Sequence, residues 1–111
     1  YLRSVRAVLP DGSLQFFCAL EEGTVVSLGR SIEPLRAAAD GLARASSAVG
    51  GARLVVGFDC VLRRLELAAD GLADAMGARY ARQGVVGFST YGEQVDAMHV
   101  NQTFAGLALG A

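Results

Sequence analysis

Polar and charged side chains follow the ends of two predicted strands, and their types suit the binding of a small polar molecule. The two strands are the apolar runs over residues 53–58 and 84–90. The carboxyl ends of parallel strands lie together, and open α/β sheets bind ligands in the crevice beyond those ends. An arginine there could hold a carboxylate through two hydrogen bonds while Glu93 receives an ammonium group, which is the arrangement that an amino acid needs. The candidate residues that follow the two strands are Cys60, Arg63, Thr90, Tyr91 and Glu93.

Several of these residues also have structural interpretations, which the sequence leaves open. Cys60 is predicted in the first turn of a helix near arginines, where it could be a reactive thiolate or a small buried thiol. Ser31 and Asp59 both suit the N-cap position of a helix. Arg63 could be paired with Asp59 rather than with a ligand, and Glu93 could stabilise its own turn.

Composition and motif spacing exclude several functional classes. Ten basic and eleven acidic residues give a formal charge of −1, which provides no electrostatic footprint for nucleic acid or an anionic membrane. Cys18 and Cys60 lack metal-ligand spacing, and His99 has no Cys or His close in sequence. The chain shows no catalytic-triad spacing, no glycosidase-like carboxylate pair and no phosphate-binding loop. We therefore expect a non-enzymatic protein without a structural metal.

Length and hydropathy predict a single domain outside the membrane. The 111 residues suffice for one core. No apolar stretch approaches the ~20 residues that span a bilayer, and no charged segment followed by an apolar run opens the chain, so we expect a cytoplasmic protein. The chain starts in strand-like sequence without Met, and we expect it to be part of a longer protein.

Hydrophobic periodicity divides the chain into strands and helices. Alternating residues on either side of Pro10–Ser13 are typical of a hairpin, whereas a period of 3.6 marks amphipathic helices. The predicted elements are a hairpin over 2–20, a short strand over 24–28, a helix from Ser31 to Val49, a strand over 53–58, a helix from Val61 to Met76 capped by Gly77, a strand over 84–90 and a last strand over 103–109.

An internal repeat with an offset of 30 residues supports this division. Residues 55–58 return as 85–88, and residues 38–43 return as 68–73. The economical interpretation is a βαβαβ unit with parallel strands and right-handed connections. We therefore expect an α/β fold with a mixed β-sheet, in which an N-terminal hairpin is followed by the βαβαβ unit and a final strand, with two main helices packed on the sheet.

Three segments in order resemble the FIST C-terminal domain, from the F-box and intracellular signal transduction family. Residues 57–63 resemble its helix start, where a Cys is followed by an Arg three residues later. Residues 87–93 resemble its Gly-Phe-x-Thr-Tyr-Gly-Glu motif, and residues 99–108 resemble its closing His-x-Asn-x-Thr segment and final strand. The resemblance adds Asn101 to the candidate ligand-binding residues. Asp59 departs from the family pattern, in which a small residue is commoner, and it adds a carboxylate to the expected site.

The resemblance implies a sensory input domain of a bacterial signal-transduction protein that binds a small polar metabolite such as an amino acid. The expected partners are an N-terminal FIST half and a signalling effector such as a histidine kinase or a cyclase. Some members of the family are associated with haem and nitric oxide, so a haem-based sensor with His99 as axial ligand is one alternative. A protein-interaction module is another. No cofactor is expected in the first interpretation.

The helical wheel of the second predicted helix also predicts an interaction surface. Val61, Leu65 and Leu72 form its expected core stripe, whereas Leu67 lies on the opposite side, beside Cys60 and Arg63. We therefore expect Leu67 to be exposed, on an interdomain or dimer surface close to the ligand crevice.

Overall fold

A computed structural model describes residues 2–110 of the chain. The fold class is confirmed: an N-terminal antiparallel hairpin is followed by a mixed sheet with helices packed on it. The elements in chain order are β1 (Val5–Val8), β2 (Leu14–Phe16), α1 (Pro34–Ala48), β3 (Leu54–Cys60), α2 (Val61–Ala69), α3 (Ala73–Arg82), β4 (Val85–Thr90), β5 (Glu93–Val95), β6 (Met98–Val100) and β7 (Phe104–Leu109).

The central sheet has the strand order β4-β3-β7. β4 is parallel to β3, with Val55 opposite Val85 and Cys60 opposite Thr90. β7 is antiparallel to β3 on the other side, with Asp59 opposite Phe104. The runs of β-branched residues in β3 and β4 favour these central strands, and the helical connection between them allows the parallel pairing.

The expected strand over 24–28 is wrong. Residues 24–33 form no helix or strand, and Val25, Val26 and Leu28 are exposed. Both edges of β3 are occupied, by β4 and β7, and the segment does not pair with the free edge of β4. The parallel part of the described sheet is therefore a single β3–β4 pair. The expected βαβαβ unit lacks its first strand.

The first helix begins later than expected because Glu33, and not Ser31, is its N-cap. The Glu33 carboxylate accepts hydrogen bonds from the backbone N–H groups of Leu35, at 2.8 Å, and Arg36, at 2.6 Å. Pro34 occupies the first helical position, where its fixed φ suits the helix and its missing N–H has no intrahelical partner to lose.

The second predicted helix is divided into α2 and α3 by Gly71. Gly71 has a φ of +69°, a left-handed conformation that favours glycine. The Leu72 N–H donates to the Leu67 carbonyl at 2.7 Å, and this bond closes a Schellman-type helix end. Gly77, the expected cap, lies inside α3.

The expected exposure of Leu67 is also wrong. Leu67 is 4% exposed and belongs to the core, whereas Leu65, assigned to the core stripe, is 61% exposed. One continuous helix was expected as far as Met76, but α2 ends at Ala69. Residues beyond Ala69 therefore do not share a helical wheel with Leu67. The core residues are Leu42, Val55, Cys60, Leu67, Met76 and Val100.

Within residues 2–110, no helix is long and apolar enough to cross a membrane.

Candidate functional site

The candidate site residues lie on two opposite faces of the sheet, and the division begins at the last two residues of β3. Asp59 and Cys60 are consecutive in the strand, so their side chains lie on opposite faces. The face of Asp59 is the one that the helices cover, since α1, Tyr80 of α3 and the strands enclose a cavity there.

On the helix-covered face, three side chains form a cluster that we call the arginine triad: Asp59, Arg63 and Tyr80. Arg63 Nε donates to Asp59 Oδ1 at 2.8 Å, and Arg63 Nη2 donates to the Tyr80 hydroxyl at 3.2 Å. The Tyr80 hydroxyl in turn donates to Asp59 Oδ2 at 3.1 Å. The side chains of Arg63 and Asp59 are 14% and 17% exposed, so the ion pair is largely shielded from water.

The triad perturbs the protonation of its own members. Burial raises the pKa of Tyr80, and the nearby Asp59 carboxylate raises it further, to about 12. Burial alone would lower the pKa of Arg63, but the charge and hydrogen bonds of Asp59 outweigh it and raise the pKa of Arg63 above its ordinary value. The Tyr80 phenol therefore stays neutral and Arg63 stays a cation at neutral pH.

A cavity of about 320 Å³ lies beside the triad, between α1 and the sheet. Small residues of α1 leave this space open, and Arg44, Arg63 and Tyr80 supply its charged and polar groups. The lining residues are Ala37, Ala38, Gly41, Leu42, Arg44, Ala45, Val55, Arg63, Tyr80, Phe104, Gly106 and Ala108. A second cavity of about 270 Å³ lies on the other side of Tyr80 and Phe104, with Asp59, Arg64 and Ser89 in its wall. The triad thus stands between two spaces that could admit a small molecule.

The absence of a side chain at Gly57 allows the Phe104 ring to pack against Tyr80 of the triad. A Cβ at this position would lie 2.6 Å from Cζ of Phe104, so the Phe104 ring lies directly over the glycine. Tyr80 packs on that ring, with centroids 5.1 Å apart and planes inclined by 31°.

On the opposite face, Glu93 forms a second cluster, which we call the glutamate lock: Thr90, Glu93 and Thr103. The Thr90 hydroxyl donates to Glu93 Oε1, and the Thr103 hydroxyl donates to Glu93 Oε2. Glu93 is only 4% exposed. The lock therefore joins the end of β4, the start of β5 and the segment before β7 through one buried carboxylate.

His99 and Asn101 extend the lock to the β5–β6 hairpin. Asn101 is 3% exposed, and its Nδ2 donates to the Tyr91 carbonyl at 3.2 Å. His99 Nε2 lies 3.5 Å from the same Nδ2 and directly over Gly92, in space that a Cβ would fill. Asn101 Oδ1 is buried and has no hydrogen-bond partner within residues 2–110.

The predicted ligand-binding residues are thus divided between the two faces. Arg63 lines the helix-side cavity, whereas Glu93 and Asn101 are buried in and around the lock. Cys60 is fully buried opposite Thr90, and its N–H donates to the Thr103 carbonyl at 3.0 Å. Tyr91 is 91% exposed. The sheet consequently separates Arg63 from Glu93, the two charges that were expected to grip one amino acid.

Tyr80 and Phe104 have roles in the site that were not recognised from the sequence. Tyr80 lies on a helix 17 residues beyond Arg63, and nothing in the local pattern relates the two positions. The spacing of Asp59 and Arg63 was a usable indication, because an acid and a base four residues apart at the start of a helix can form an ion pair.

The geometry of His99 does not fit an axial haem ligand. Iron would have to approach His99 Nε2, and that atom is packed over Gly92 and beside Asn101. His99 does not line either of the two cavities beside the triad. The glycine contact instead indicates that His99 holds the hairpin against the turn after β4.

A comparison with protein-family models finds the FIST C domain over residues 1–96. The matched range includes the motifs over 57–63 and 87–93, and the closing segment over 99–108 lies outside it. No curated protein and no solved structure matches the chain.

Proposed function

Because the chain belongs to the FIST C domain family, which is associated with signal transduction, we propose that it is a ligand-binding input domain rather than an enzyme. The proposed ligand is a small polar metabolite, with amino acids as the leading class. In this proposal the domain reports ligand binding to an N-terminal FIST half and to an effector such as a histidine kinase or a cyclase.

The observation that carries the proposal is the arginine triad at the wall of a cavity. Ligand pockets are mostly apolar, with a few polar groups that fix the orientation of the ligand, and they start at about 300 Å³. The helix-side cavity has this character, since small and apolar residues line most of it and its polar groups are the guanidinium groups of Arg44 and Arg63 and the Tyr80 phenol. Its volume of about 320 Å³ suits a small metabolite.

Paired charges make a zwitterion a better ligand than a simple anion. Arg63 uses Nε and Nη2 for Asp59 and Tyr80, and a guanidinium has five N–H donors, so others remain for a ligand carboxylate. A simple carboxylate would meet the Asp59 charge as well as the Arg63 charge. An amino acid avoids this conflict because its carboxylate can approach Arg63 while its ammonium group approaches the Tyr80 hydroxyl, which lines the same cavity and is hydrogen-bonded to Asp59. Asp59 itself lies in the wall of the second cavity.

This assignment changes the partner that was expected for the ammonium group. Glu93 was expected to receive it, but the Glu93 carboxylate already accepts from two threonine hydroxyls on the other face. Asp59 is the carboxylate that lies beside Arg63. Direct contact of Glu93, Asn101, Thr90, Tyr91 or Cys60 with the ligand stays a prediction.

Calorimetric titration with a panel of amino acids tests the proposal. For each amino acid the matched probes are the amine without the carboxylate and the acid without the amine. We expect at least one amino acid to bind, and both truncated probes to bind at least tenfold more weakly, because a hydrogen bond to a charged group contributes about 1.5–3 kcal/mol.

Arg63→Ala should weaken that binding by about 10- to 100-fold, because it removes a hydrogen bond between charged groups of the magnitude given above. Arg36→Ala is the matched control, because Arg36 forms an ion pair with Asp40 at the same sequence spacing but is 82% exposed. Absence of binding across the panel, or equal binding by Arg63→Ala and the native chain, would contradict the proposal.

A further inference from the structure

β4 lies at an open edge of the central sheet. In the strand order β4-β3-β7 it is terminal, and within residues 2–110 it pairs with β3 alone. The four residues from Val86 to Ser89 are all exposed. An edge of this kind presents unpaired backbone donors and acceptors, which are a template for another strand.

The register with β3 identifies which backbone groups point outward. The Gly84 carbonyl accepts from the Val55 N–H at 3.0 Å, so the backbone groups of Gly84 face β3. Because these groups alternate along a strand, those of Val86 and Phe88 also face β3. The N–H and C=O groups of Val85, Gly87 and Ser89 consequently face away from the sheet.

We propose that β4 pairs antiparallel with β4 of a second copy of this chain, around a two-fold axis at Gly87. In this register Gly87 lies opposite its own copy, and Val85 lies opposite the partner's Ser89. Residues directly opposite in such positions exchange both N–H···O=C bonds. Each outward N–H and C=O of the three residues thereby gains a partner, because Val85 and Ser89 are equally distant from Gly87. The two sheets become one continuous sheet.

The side chains of β4 complement themselves in the same register. Val86 lies opposite the partner's Phe88 on the face that the helices leave uncovered, and these residues are 53% and 65% exposed in one copy. Aromatic and β-branched residues form favourable cross-strand pairs. Phe88 is already held edge-on against Phe58, with ring centroids 5.4 Å apart, so it needs little ordering on association.

Gly87 at the axis removes the steric obstacle to close approach. A Cβ on Gly87 would collide with the Gly57 carbonyl, so the β3 register itself requires glycine here. The two glycines at the axis then present no side chain to each other.

β4 also lacks the features by which edge strands avoid self-association. Residues 85–90 contain no proline and no charged residue, and these are two of the common protections against edge pairing. The formal charge of −1 gives little repulsion between copies. A second copy is the occupant that the side chains favour, because the two-fold register pairs Val86 with Phe88 twice and places glycine opposite glycine at the axis.

Sedimentation equilibrium and amide hydrogen exchange, measured over a range of concentrations, test the proposal together. We expect the native chain to dimerise. With rising concentration the amides of Val85, Gly87 and Ser89 should gain protection, whereas those of Val86 and Phe88 should be protected throughout because they face β3.

Two pairs of variants separate edge pairing from other contacts. Ser89→Pro removes an outward N–H that has no partner in the monomer, and it should raise the dimer dissociation constant at least tenfold relative to Ser89→Ala. Val86→Lys should act similarly by placing a charge opposite the partner's Phe88. Leu107→Lys is its control, since Leu107 is 60% exposed on the same sheet face but lies on β7.

A native chain that stays monomeric at millimolar concentration would overturn the proposal. So would a dimer that leaves the three outward amides unprotected, or one that Leu107→Lys disrupts more than Val86→Lys, because either result points to contact through the open sheet face or through β7, the other terminal strand. Amide hydrogen exchange on the native chain tests pairing through β4 even if a variant fails to fold.

Discussion

The arginine triad and the glutamate lock lie on opposite faces of the same strand end, and they differ in what surrounds their charges. In the triad, the Arg63–Asp59 ion pair borders cavities, and the guanidinium retains unused donors. In the lock, both oxygens of Glu93 accept from threonine hydroxyls, and the residue is buried. A polar cluster that is closed on itself joins segments of the chain, whereas one that borders a cavity is available to a ligand.

The largest expected effect is the loss of stability on removing the carboxylate of the lock. Glu93→Ala leaves the hydroxyls of Thr90 and Thr103 without their acceptor, and the expected loss in the free energy of unfolding is about 3 kcal/mol. Gln94→Ala, an exposed neighbour in β5, is the control and should change it by less than about 0.5 kcal/mol. Urea unfolding measures both. If the two variants unfold alike, the lock does not hold these segments together.

A smaller loss of stability is expected when the ion pair of the triad is broken. Arg63→Ala should lower the free energy of unfolding by about 2 kcal/mol, because the pair is shielded and Asp59 would keep only its bond from Tyr80. Arg36→Ala should cost at most about 0.5 kcal/mol, since it breaks an exposed pair. Equal losses would show that water screens both pairs alike, and the distinction between triad and surface pair would fail.

The contact between His99 and Gly92 should contribute less than either. Gly92→Ala places a methyl group where His99 Nε2 lies, and the imidazole must swing away at an expected cost of about 1 kcal/mol. His99→Ala removes the nearer obstacle and leaves Asn101 Nδ2, which would lie 2.9 Å from the new methyl group, so the double variant should lose less than the sum of the single variants. Thermal unfolding of the four proteins measures this coupling. Additive losses would place the histidine elsewhere.

A further effect is confined to alkaline solution, where Tyr80 ionises. Its pKa of about 12 in the folded chain lies above the ordinary value of 10.0, so the folded chain retains a proton that the unfolded chain loses. The stabilisation from neutral Tyr80 is therefore complete below pH 10 and falls as the pH rises from 10 to about 12.

Tyr80→Phe should remove this part of the pH dependence of unfolding. Tyr91→Phe should leave it unchanged, because Tyr91 is 91% exposed. Identical alkaline profiles for the two variants would show that the pKa of Tyr80 is not raised in the folded chain.

The sequence by itself determined the elements whose cause is local. The β-branched runs predicted β3 and β4 to within two residues at each end, because such residues favour strands wherever they lie. Family resemblance was also readable from short motifs, and the match over residues 1–96 confirms it. The pairing of Asp59 with Arg63 was also indicated by their sequence spacing at the end of one strand, and the structure confirms that contact.

Only the tertiary structure decided how these residues face one another. β7 pairs with one edge of β3, and this pairing joins residues about fifty positions apart, beyond the reach of any local pattern. The burial of Leu67 depended on where Gly71 ends α2, and the separation of Arg63 from Glu93 depended on the alternation of Asp59 and Cys60 across the sheet. Periodicity specifies that a helix or strand has two sides, but packing against distant segments decides which side is covered.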